Sequence, residues 1–241
     1  MAVQRIDKLL AAMGLCSRKE AAAYARKGVI AVDGVVCRDA SQKIDPDRVC
    51  LTFGGQPVGY QEHVYLMLHK PLGVLSATED RDQQTVLDLL PGVYRSRGVF
   101  PVGRLDKDTS GLLLLTDDGA LGHHLTSPKH QVNKVYHAVA EGVLGQADVD
   151  AFAHGIKLRD GTQCRPAKLE IRSVADGKTD VLVTVCEGKY HQVRRMLASR
   201  GTPVLTLERL SEGEVVLDSA LKPGEWRELT SEEISALRYE I

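Results

Sequence analysis

The sequence predicts an α+β protein in which a small α/β module precedes a larger domain built on a mixed, mainly antiparallel sheet. Two helical patterns and one hairpin pattern occupy the first 56 residues of the 241-residue chain. From residue 63 onward short strand patterns dominate, and they do not alternate regularly with helical patterns. This irregular order excludes a doubly wound parallel sheet. We therefore expect a domain over residues 1–56, a linker over 57–62 and a second domain over 63–241.

Apolar spacing and capping residues define the two helices of the small module. Residues 5–14 place apolar side chains three and four positions apart, which predicts an amphipathic helix that Gly14 ends. Ser17 and Glu20 match the S-x-x-E capping box, so a second helix is expected to begin there. Gly28 is placed to end that second helix.

A hairpin pattern follows the two helices. Apolar residues over 30–37 surround Asp33-Gly34, a dipeptide typical of the tight turn between two antiparallel strands. Two short helices and a hairpin make a module of about 50–60 residues, which is near the lower limit for independent folding. Residues 54–62 are rich in glycine and polar side chains, and this composition predicts a linker.

The larger domain contains more strand patterns than helical ones. Apolar runs and turn residues predict strands over 64–68, 99–102, 112–116, 135–140, 167–171, 181–185, 203–207, 214–217 and 226–229. Helical spacing and capping residues predict helices over 85–90, 120–125, 146–154, 191–200 and 231–239.

The charge distribution points to a polyanionic partner, although the formal net charge is only −1. The first 30 residues carry six basic and two acidic side chains. The basic side chains that flank the second helix are Arg18, Lys19, Arg26 and Lys27. Helix amides together with flanking cations suit phosphate oxygens, although an ordinary solvated helix face is the alternative interpretation.

Composition indicates a reduced, cytoplasmic protein without a membrane partner. No apolar stretch approaches the length of a membrane span, and the first residues lead into no signal-type apolar segment. The five cysteines are scattered along the chain without a close pair, so a zinc site is disfavoured. We expect each cysteine to be a small packing residue.

The segment over residues 103–111 carries the strongest candidate for chemistry. It places Asp106 between bracketing glycines, before the apolar run over 112–115. Removing a carboxylate from water costs several kcal/mol unless a partner supports it, so a solubilising role is disfavoured. One alternative is a turn aspartate that only accepts backbone hydrogen bonds. Another is a metal site formed with Asp108, although this loop lacks the alternating ligands of a calcium loop.

Two further clusters offer a guanidinium group and a phenol. Arg194 and Arg195 lie in a helical pattern that follows a buried strand, so both should emerge near the end of that strand. Tyr136 lies in a strand of alternating polarity. Exposed helix arginines and a tyrosine in core packing are the alternative interpretations. A carboxylate kept ionised by an arginine is suited to nucleophilic attack at an electron-poor carbon.

Motifs in both parts of the chain resemble known families. Similarity to S4 RNA-binding domains is carried by residues 5–10, 17–21 and 28–34. Similarity to the motifs of pseudouridine synthases is carried, in order, by residues 67–73, 103–112, 134–136 and 187–196. The combination resembles the RsuA/RluB family. Residues 126–130 and 188–192 are most similar to its RsuA type, which modifies small-subunit ribosomal RNA.

The resemblance implies an isomerase that detaches the base of a uridine from its ribose, rotates it and rejoins it through C5, with no cofactor and no metal. It implies Asp106 as the nucleophile and Tyr136 as the tyrosine that stacks on the uracil. Arg194 is implied as the basic partner within ion-pair distance of Asp106, with Tyr136 lining the same pocket. The residues expected to contact RNA are Arg5, Arg18, Lys19, Arg26, Lys27, Lys70, Arg104, His191, Gln192 and Arg195.

The expected partner is ribosomal RNA or a ribosomal-subunit assembly intermediate, bound by a monomeric cytoplasmic enzyme. Two other functions stay open on the sequence. One is a non-catalytic RNA-binding ribosome-assembly factor that retains the fold. The other is a metal-dependent nuclease that uses Asp106 and Asp108.

Overall fold

A computed structural model describes residues 3–46, 48–59 and 62–239. The chain forms two compact units, which are Met1–Val64 together with Leu90–Val99, and Tyr65–Leu89 together with Phe100–Ile241. Among the helices of the described residues, none is both long enough and apolar enough to cross a membrane.

The first unit consists of short helices and two small antiparallel sheets. Its helices are α1 (Ile6–Ala12), α2 (Arg18–Arg26) and α3 (Gly92–Ser96). Its strands are β1 (Gln4–Arg5), β2 (Ile30–Val32), β3 (Val35–Val36), β4 (Lys43–Ile44), β5 (Leu51–Phe53) and β6 (Gln56–Pro57). Strand β1 pairs with β4, and the second sheet has the order β3-β2-β5-β6. The two helices and the hairpin predicted for the small module are therefore present.

Local sequence signals explain how α2 and the hairpin form. The Ser17 hydroxyl accepts a hydrogen bond from the Glu20 amide at 3.2 Å, and the Glu20 carboxylate accepts one from the Ser17 amide at 2.8 Å. This reciprocal pair is the predicted capping box. Asp33-Gly34 has φ values of +49° and +80°, which are the left-handed conformations that a two-residue turn requires.

The predicted linker begins as a hairpin. Gly54-Gly55 has φ values of +60° and +81° and joins β5 to β6 through an equivalent tight turn. The glycine pair is therefore a turn signal, and the interpretation of the whole 54–62 segment as a linker is wrong for its first four residues. Residues 60 and 61 of that segment lie outside the described part of the chain.

Helix α3 belongs to the first unit, although the sequence pattern placed its residues in the second domain. Gly14 follows α1 with a φ of +66°, and a Cβ atom there would lie 2.1 Å from Cγ2 of Val93 in α3. Glycine permits both the left-handed backbone and this close approach. The Pro91-Gly92 pair follows the end of a short helical turn at Leu89 and leads into α3.

The second unit is built on a large sheet with helices packed against it. Its strands are β7 (Tyr65–Lys70), β8 (Phe100–Pro101), β9 (Ser110–Thr116), β10 (Lys134–Glu141), β11 (Lys168–Ala175), β12 (Lys178–Val185), β13 (Val204–Glu212), β14 (Val215–Val216) and β15 (Trp226–Glu228). Its α-helices are α4 (Gly119–Thr126), α5 (Gln146–His154), α6 (Gln192–Ser199) and α7 (Ser231–Tyr239). The pattern expected over 85–90 forms a 3-10 helix over Val86–Leu89.

The sheet runs in the order β11-β12-β10-β13-β9-β7-β15, with β14 beside β13 and β8 beside β9. These pairs are antiparallel except that of β13 with β9, which is parallel and places Arg209 opposite Gly111. The prediction of a mixed, mainly antiparallel sheet is confirmed. Strand β13 therefore joins β10, which carries Tyr136, to β9, which directly follows the loop of Asp106.

Apolar side chains from the helices and the sheet form the core of the second unit. Phe152 of α5 and Met196 of α6 pack with Ala138 of β10 and the buried valines of β12 in one cluster. Leu121 of α4 and Leu237 of α7 pack with residues of β7 and β9 in another. Helix α6 is thus held by its buried face, and its amino-terminal residues lie at the end of β12.

Candidate active site

The loop that carries Asp106 is supported from below by Lys70, the last residue of β7. The Lys70 ammonium is buried and donates to the main-chain carbonyls of Pro71 at 3.0 Å, Asp106 at 3.1 Å and Thr109 at 3.0 Å. The Thr109 amide also donates to the Asp106 carbonyl at 3.0 Å, which closes a turn. These bonds use all three ammonium protons, so Lys70 fixes the backbone of the loop.

The environment of Lys70 corrects its predicted role. Burial lowers the pKa of Lys70 to about 8, against the opposing effect of the Asp106 and Asp108 carboxylates. A fully buried ammonium with three backbone acceptors cannot also contact a bound RNA strand. The expectation that Lys70 binds RNA is therefore wrong, and its contribution to the site is structural.

Ser76 provides a second support that the sequence patterns did not single out. Its buried hydroxyl donates to the carbonyl of Leu105 at 2.8 Å and accepts from the Leu105 amide at 3.0 Å. The Gly73 amide donates to the Lys107 carbonyl at 2.8 Å. The backbone on both sides of Asp106 is therefore bonded to the segment that follows β7.

The Asp106 carboxylate faces the imidazole of His191. Oδ1 of Asp106 lies 3.4 Å from Nε2 of His191, and the Asp106 side chain keeps about a third of its surface exposed. His191 is the residue before α6 and has a left-handed φ of +46°. A non-glycine residue in this conformation is uncommon and stores strain that functional sites often contain. His191 is therefore the basic group that meets the candidate nucleophile.

Arg194 contacts a different aspartate from the one expected. Its Nε lies 3.2 Å from Oδ2 of Asp108, and its Nη2 donates to the Asp108 carbonyl at 2.5 Å. Among the ion pairs of the described residues, none joins Arg194 to Asp106. The predicted Arg194–Asp106 pair is therefore wrong, because the loop turns the carboxylate of Asp108 toward α6. Each loop carboxylate faces a basic group, which disfavours a metal site formed by the two.

Tyr136 lines the same cleft as Asp106, as the sequence predicted. It lies in β10 directly opposite Arg209 of β13, at a point where the pairing register shifts. Removal from water raises the pKa of the Tyr136 hydroxyl, and the nearby Arg209 guanidinium opposes that rise. The phenol is therefore neutral at physiological pH, with its ring packed beside the apolar cluster of the sheet.

Behind Tyr136 lies a buried ionic cluster that the sequence patterns did not reveal. Nη2 of Arg209 lies 3.2 Å from Oε2 of Glu212, and Nζ of Lys134 lies 3.5 Å from Oε1 of the same carboxylate. Arg209 and Glu212 are both almost completely buried. The Arg209 Nε also donates to the Leu112 carbonyl at 2.8 Å, which links the cluster to β9.

The cleft has a volume of about 850 Å³, and exposed Arg104 and Tyr190 lie on its wall with Asp106 and Tyr136. Gln192 also borders it, but its side chain is buried and donates to the Glu187 carboxylate at 2.8 Å. The prediction that Gln192 contacts RNA is therefore wrong, since its amide holds the turn before α6. Arg195 pairs with Asp160 and remains partly exposed.

In the first unit, the predicted RNA contacts fall into two groups. Arg5 and Arg18 pair with the buried carboxylate of Asp7, at 2.8 Å and 3.4 Å. The hydrogen bond from Arg5 lowers the pKa of Asp7 most, and burial opposes it. Lys19, Arg26 and Lys27 are exposed. The lysines and Arg26 therefore offer their charges to solvent, whereas Arg5 and Arg18 also hold the module together.

Comparisons with known proteins agree with both units. A family described as RNA pseudouridylate synthase matches residues 64–199, and a family described as S4 domain matches residues 4–50. The chain belongs to the RNA pseudouridine synthase family. It is therefore an isomerase that acts on uridine in RNA, and the S4-like module predicted from the sequence is confirmed.

Relatives from several bacteria match this synthase over nearly its whole length. YtzG, an uncharacterized RNA pseudouridine synthase of Bacillus subtilis, is 48% identical over 97% of this chain and 98% of its own. The ribosomal small subunit pseudouridine synthases A of Vibrio cholerae and Escherichia coli are 41% and 38% identical, over 97% of this chain and 99% of theirs. A crystal structure of a pseudouridylate synthase matches with a TM-score of 0.66 and 36% identity, covering 97% of this chain and 99% of that one.

Proposed function

We propose that this synthase converts one uridine of small-subunit ribosomal RNA into pseudouridine. The relatives named for the ribosomal small subunit, 38% to 41% identical over nearly the whole chain, support this substrate. The exposed cations Lys19 and Arg26 on α2, and Lys27 directly after it, support binding to an RNA backbone. The substrate is either the free ribosomal RNA or a partly assembled subunit that presents it.

We assign residues 1–57 to RNA binding, 58–62 to a linker and 63–241 to catalysis, in a monomeric cytoplasmic enzyme. Residues 90–99 are added to the first of these, because they group with it in the fold. The exposed side chain of Arg104 on the cleft wall is suited to a phosphate of the target strand.

The reaction exchanges a carbon–nitrogen bond for a carbon–carbon bond at C1′ of the ribose. The N1–C1′ bond breaks, the detached uracil rotates, and C5 forms the new bond to C1′. The proton on C5 is lost and N1 gains a proton, so substrate and product have the same atoms. The reaction therefore needs no oxidant, no reductant and no group donor.

The observation that carries the proposal is the Asp106 carboxylate in the cleft wall, 3.4 Å from His191, on a loop whose backbone Lys70 holds. We assign Asp106 as the nucleophile that forms a transient bond to C1′ or to C6 of the uridine. The target nucleotide must leave its stack to reach this carboxylate. We assign Tyr136, which lines the same cleft, as the residue that stacks on the extruded uracil. Arg194 acts through Asp108 as a positioning residue.

The test is to map pseudouridine in ribosomal RNA from cells with and without the gene, then to restore the gene as wild type or Asp106→Asn. One small-subunit site should disappear with the gene and return only with wild type. Asp176→Asn, an exposed carboxylate in the hairpin turn between β11 and β12, is the matched control and should restore the site. Normal modification by Asp106→Asn contradicts the assigned nucleophile. RNA binding without a lost site favours the assembly factor, and chelator-sensitive RNA cleavage favours the nuclease.

A further inference from the structure

Tyr190 presents an aromatic ring to solvent at the wall of the cleft. Its side chain is 75% exposed, and it lines the same cavity as Asp106 and Tyr136. A large aromatic side chain left this exposed gains free energy when a flat apolar surface covers it. The surface it would meet in this cleft is that of the bound substrate.

The orientation of Tyr190 is fixed by its neighbour. The rings of Tyr190 and His191 are stacked, with centroids 4.0 Å apart and planes inclined by 18°. His191 is itself held, because its backbone has the left-handed φ of +46° and its imidazole lies 3.4 Å from Asp106. One face of the Tyr190 ring is therefore covered by imidazole, and the exposed remainder offers a pre-oriented surface beside the reacting group.

The chemistry of this surface selects an unpaired nucleobase. Bases of single-stranded RNA stack on tyrosine and histidine rings with little dependence on sequence, because every base has a π face. The target uracil has to reach Asp106 inside the cleft, where Tyr136 lies. The exposed ring at the cleft wall is then available to a second base.

We propose that Tyr190, backed by His191, is a stacking site for an unpaired base adjacent to the target uridine. This inference rests on the proposed function, since it names a second contact of the same RNA substrate. Tyr190 is a binding residue in this assignment. Its effect should therefore appear in the RNA concentration that gives half-maximal rate, and the maximal rate should change little.

The test is the initial rate of C5-proton loss, measured over a range of RNA concentrations in excess of the enzyme, from small-subunit ribosomal RNA isolated from cells without the gene and labelled at C5 of uridine. The full chain is compared as wild type, Tyr190→Ala, Tyr190→Leu and Tyr190→Phe. Loss of one stacked base should raise the half-maximal RNA concentration on the order of 10-fold in the alanine and leucine variants. Tyr190→Phe, which keeps the ring, should recover most of that loss. Val143→Ala, a substitution at an exposed residue after β10, is the control and should match wild type.

Salt distinguishes stacking from charge. The ratio between Tyr190→Ala and wild type should stay constant as salt rises, whereas loss of a phosphate contact makes such a ratio depend on salt. Equal behaviour of the alanine variant and wild type overturns the stacking site. So does equal loss in the phenylalanine and alanine variants, or a loss confined to the maximal rate.

A failure of this inference can be told apart from a failure of the proposed function. If wild type forms no pseudouridine in this RNA, the proposed function fails, and equilibrium binding of the same RNA by the four proteins still tests stacking. If wild type is active and the half-maximal RNA concentration is insensitive to Tyr190, only the stacking site fails. A melting temperature within about 2 °C of wild type is expected for each variant, because the altered side chain is exposed.

Discussion

The buried ammonium of Lys70 donates a 3.1 Å hydrogen bond to the main-chain carbonyl of Asp106. The candidate nucleophile is thus positioned through its backbone by a strand that precedes it by more than thirty residues. Its carboxylate remains free to face His191 and the cleft. Holding the backbone while leaving the side chain available is an arrangement suited to a group that must form and break a covalent bond.

Replacing Lys70 with methionine should weaken both the fold and the reaction. Three carbonyls lose their shared donor, and unsatisfied buried acceptors cost about 1–3 kcal/mol. A displaced Asp106 should reduce the single-turnover rate about 100-fold. Urea unfolding and C5-proton release measure the two effects. Lys107→Met, on the exposed side of the same loop, is the stability control and should change the unfolding free energy by less than about 0.5 kcal/mol. Equal stability of both variants would show that Lys70 does not hold the loop.

The free energy of unfolding should increase at alkaline pH because of Lys70. Its pKa is lowered by burial from 10.5 to about 8, so between these values the unfolded chain binds a proton that the folded protein has released. The contribution of Lys70 to the free energy of unfolding therefore rises with pH between pH 8 and pH 10.5. Below pH 8 the ammonium is charged in both states, so the free-energy cost of burying its charge does not change with pH. Urea unfolding at several pH values should show wild type gaining stability relative to Lys70→Met above pH 8. A difference that is independent of pH contradicts the lowered pKa.

Two glycines of the Asp106 loop should respond differently to alanine. Gly111 has a φ of +105°, and a Cβ atom there would lie 2.3 Å from the main-chain oxygen of Arg209. The Arg209 main chain is held by its pairing in the sheet and cannot shift to make room for a Cβ atom. Gly111→Ala should therefore lower the free energy of unfolding by at least about 3 kcal/mol or prevent folding. Gly103 has a φ of +70°, but its Cβ would meet only the Thr126 methyl at 3.4 Å. Gly103→Ala should cost about 1 kcal/mol. Thermal unfolding compares them, and similar melting temperatures would contradict the close pairing of β9 and β13.

Loss of the Glu212 carboxylate should destabilise the fold, because Arg209 and Lys134 both pair with it and their described ion pairs include no other carboxylate. Glu212→Gln leaves Arg209 and Lys134 without a counter-ion and should destabilise by about 3–5 kcal/mol. The double variant Arg209→Met, Glu212→Leu removes the main unpaired charge and should recover part of that loss. Urea unfolding of both variants measures the difference. A double variant less stable than Glu212→Gln would contradict the charge argument.

Local signals in the sequence were sufficient for most elements of the fold. The Ser17 and Glu20 capping box and the Asp33-Gly34 turn act through neighbouring residues, so their geometry follows from the local pattern. The Gly54-Gly55 hairpin has an equally local signal, and the composition of the surrounding segment obscured it. The docking of α3 depends on a contact between Gly14 and Val93, which are distant in the chain.

The site was predictable only in part, because its side-chain contacts also join residues that are distant in the chain. The family resemblance implied one pocket for Asp106 and Tyr136, and both residues line the same cleft in the structure, whereas the position of His191 beside Asp106 was not predicted. The partner of Arg194 could not be derived, because Asp106 and Asp108 are two residues apart and the path of the loop decides which carboxylate faces α6. The burial of Lys70 and Gln192 could not be predicted, because a polar residue in a motif can be either a surface contact or a buried support. Only the packing of the surrounding strands distinguishes the two.

The position of β13 between β10 and β9 determines when the cleft can come into existence during synthesis. The ribosome produces the segments of Asp106 and Tyr136 well before Val204–Glu212, the strand that joins them. Until β13 has left the exit tunnel, strands β10 to β12 are not connected through the sheet to strands β7 to β9. Non-local pairing of this kind is also slow to form. The cleft that holds Asp106 and Tyr136 therefore cannot be complete before β13 has been synthesised, whereas the helices α1 and α2 of the first unit are made much earlier.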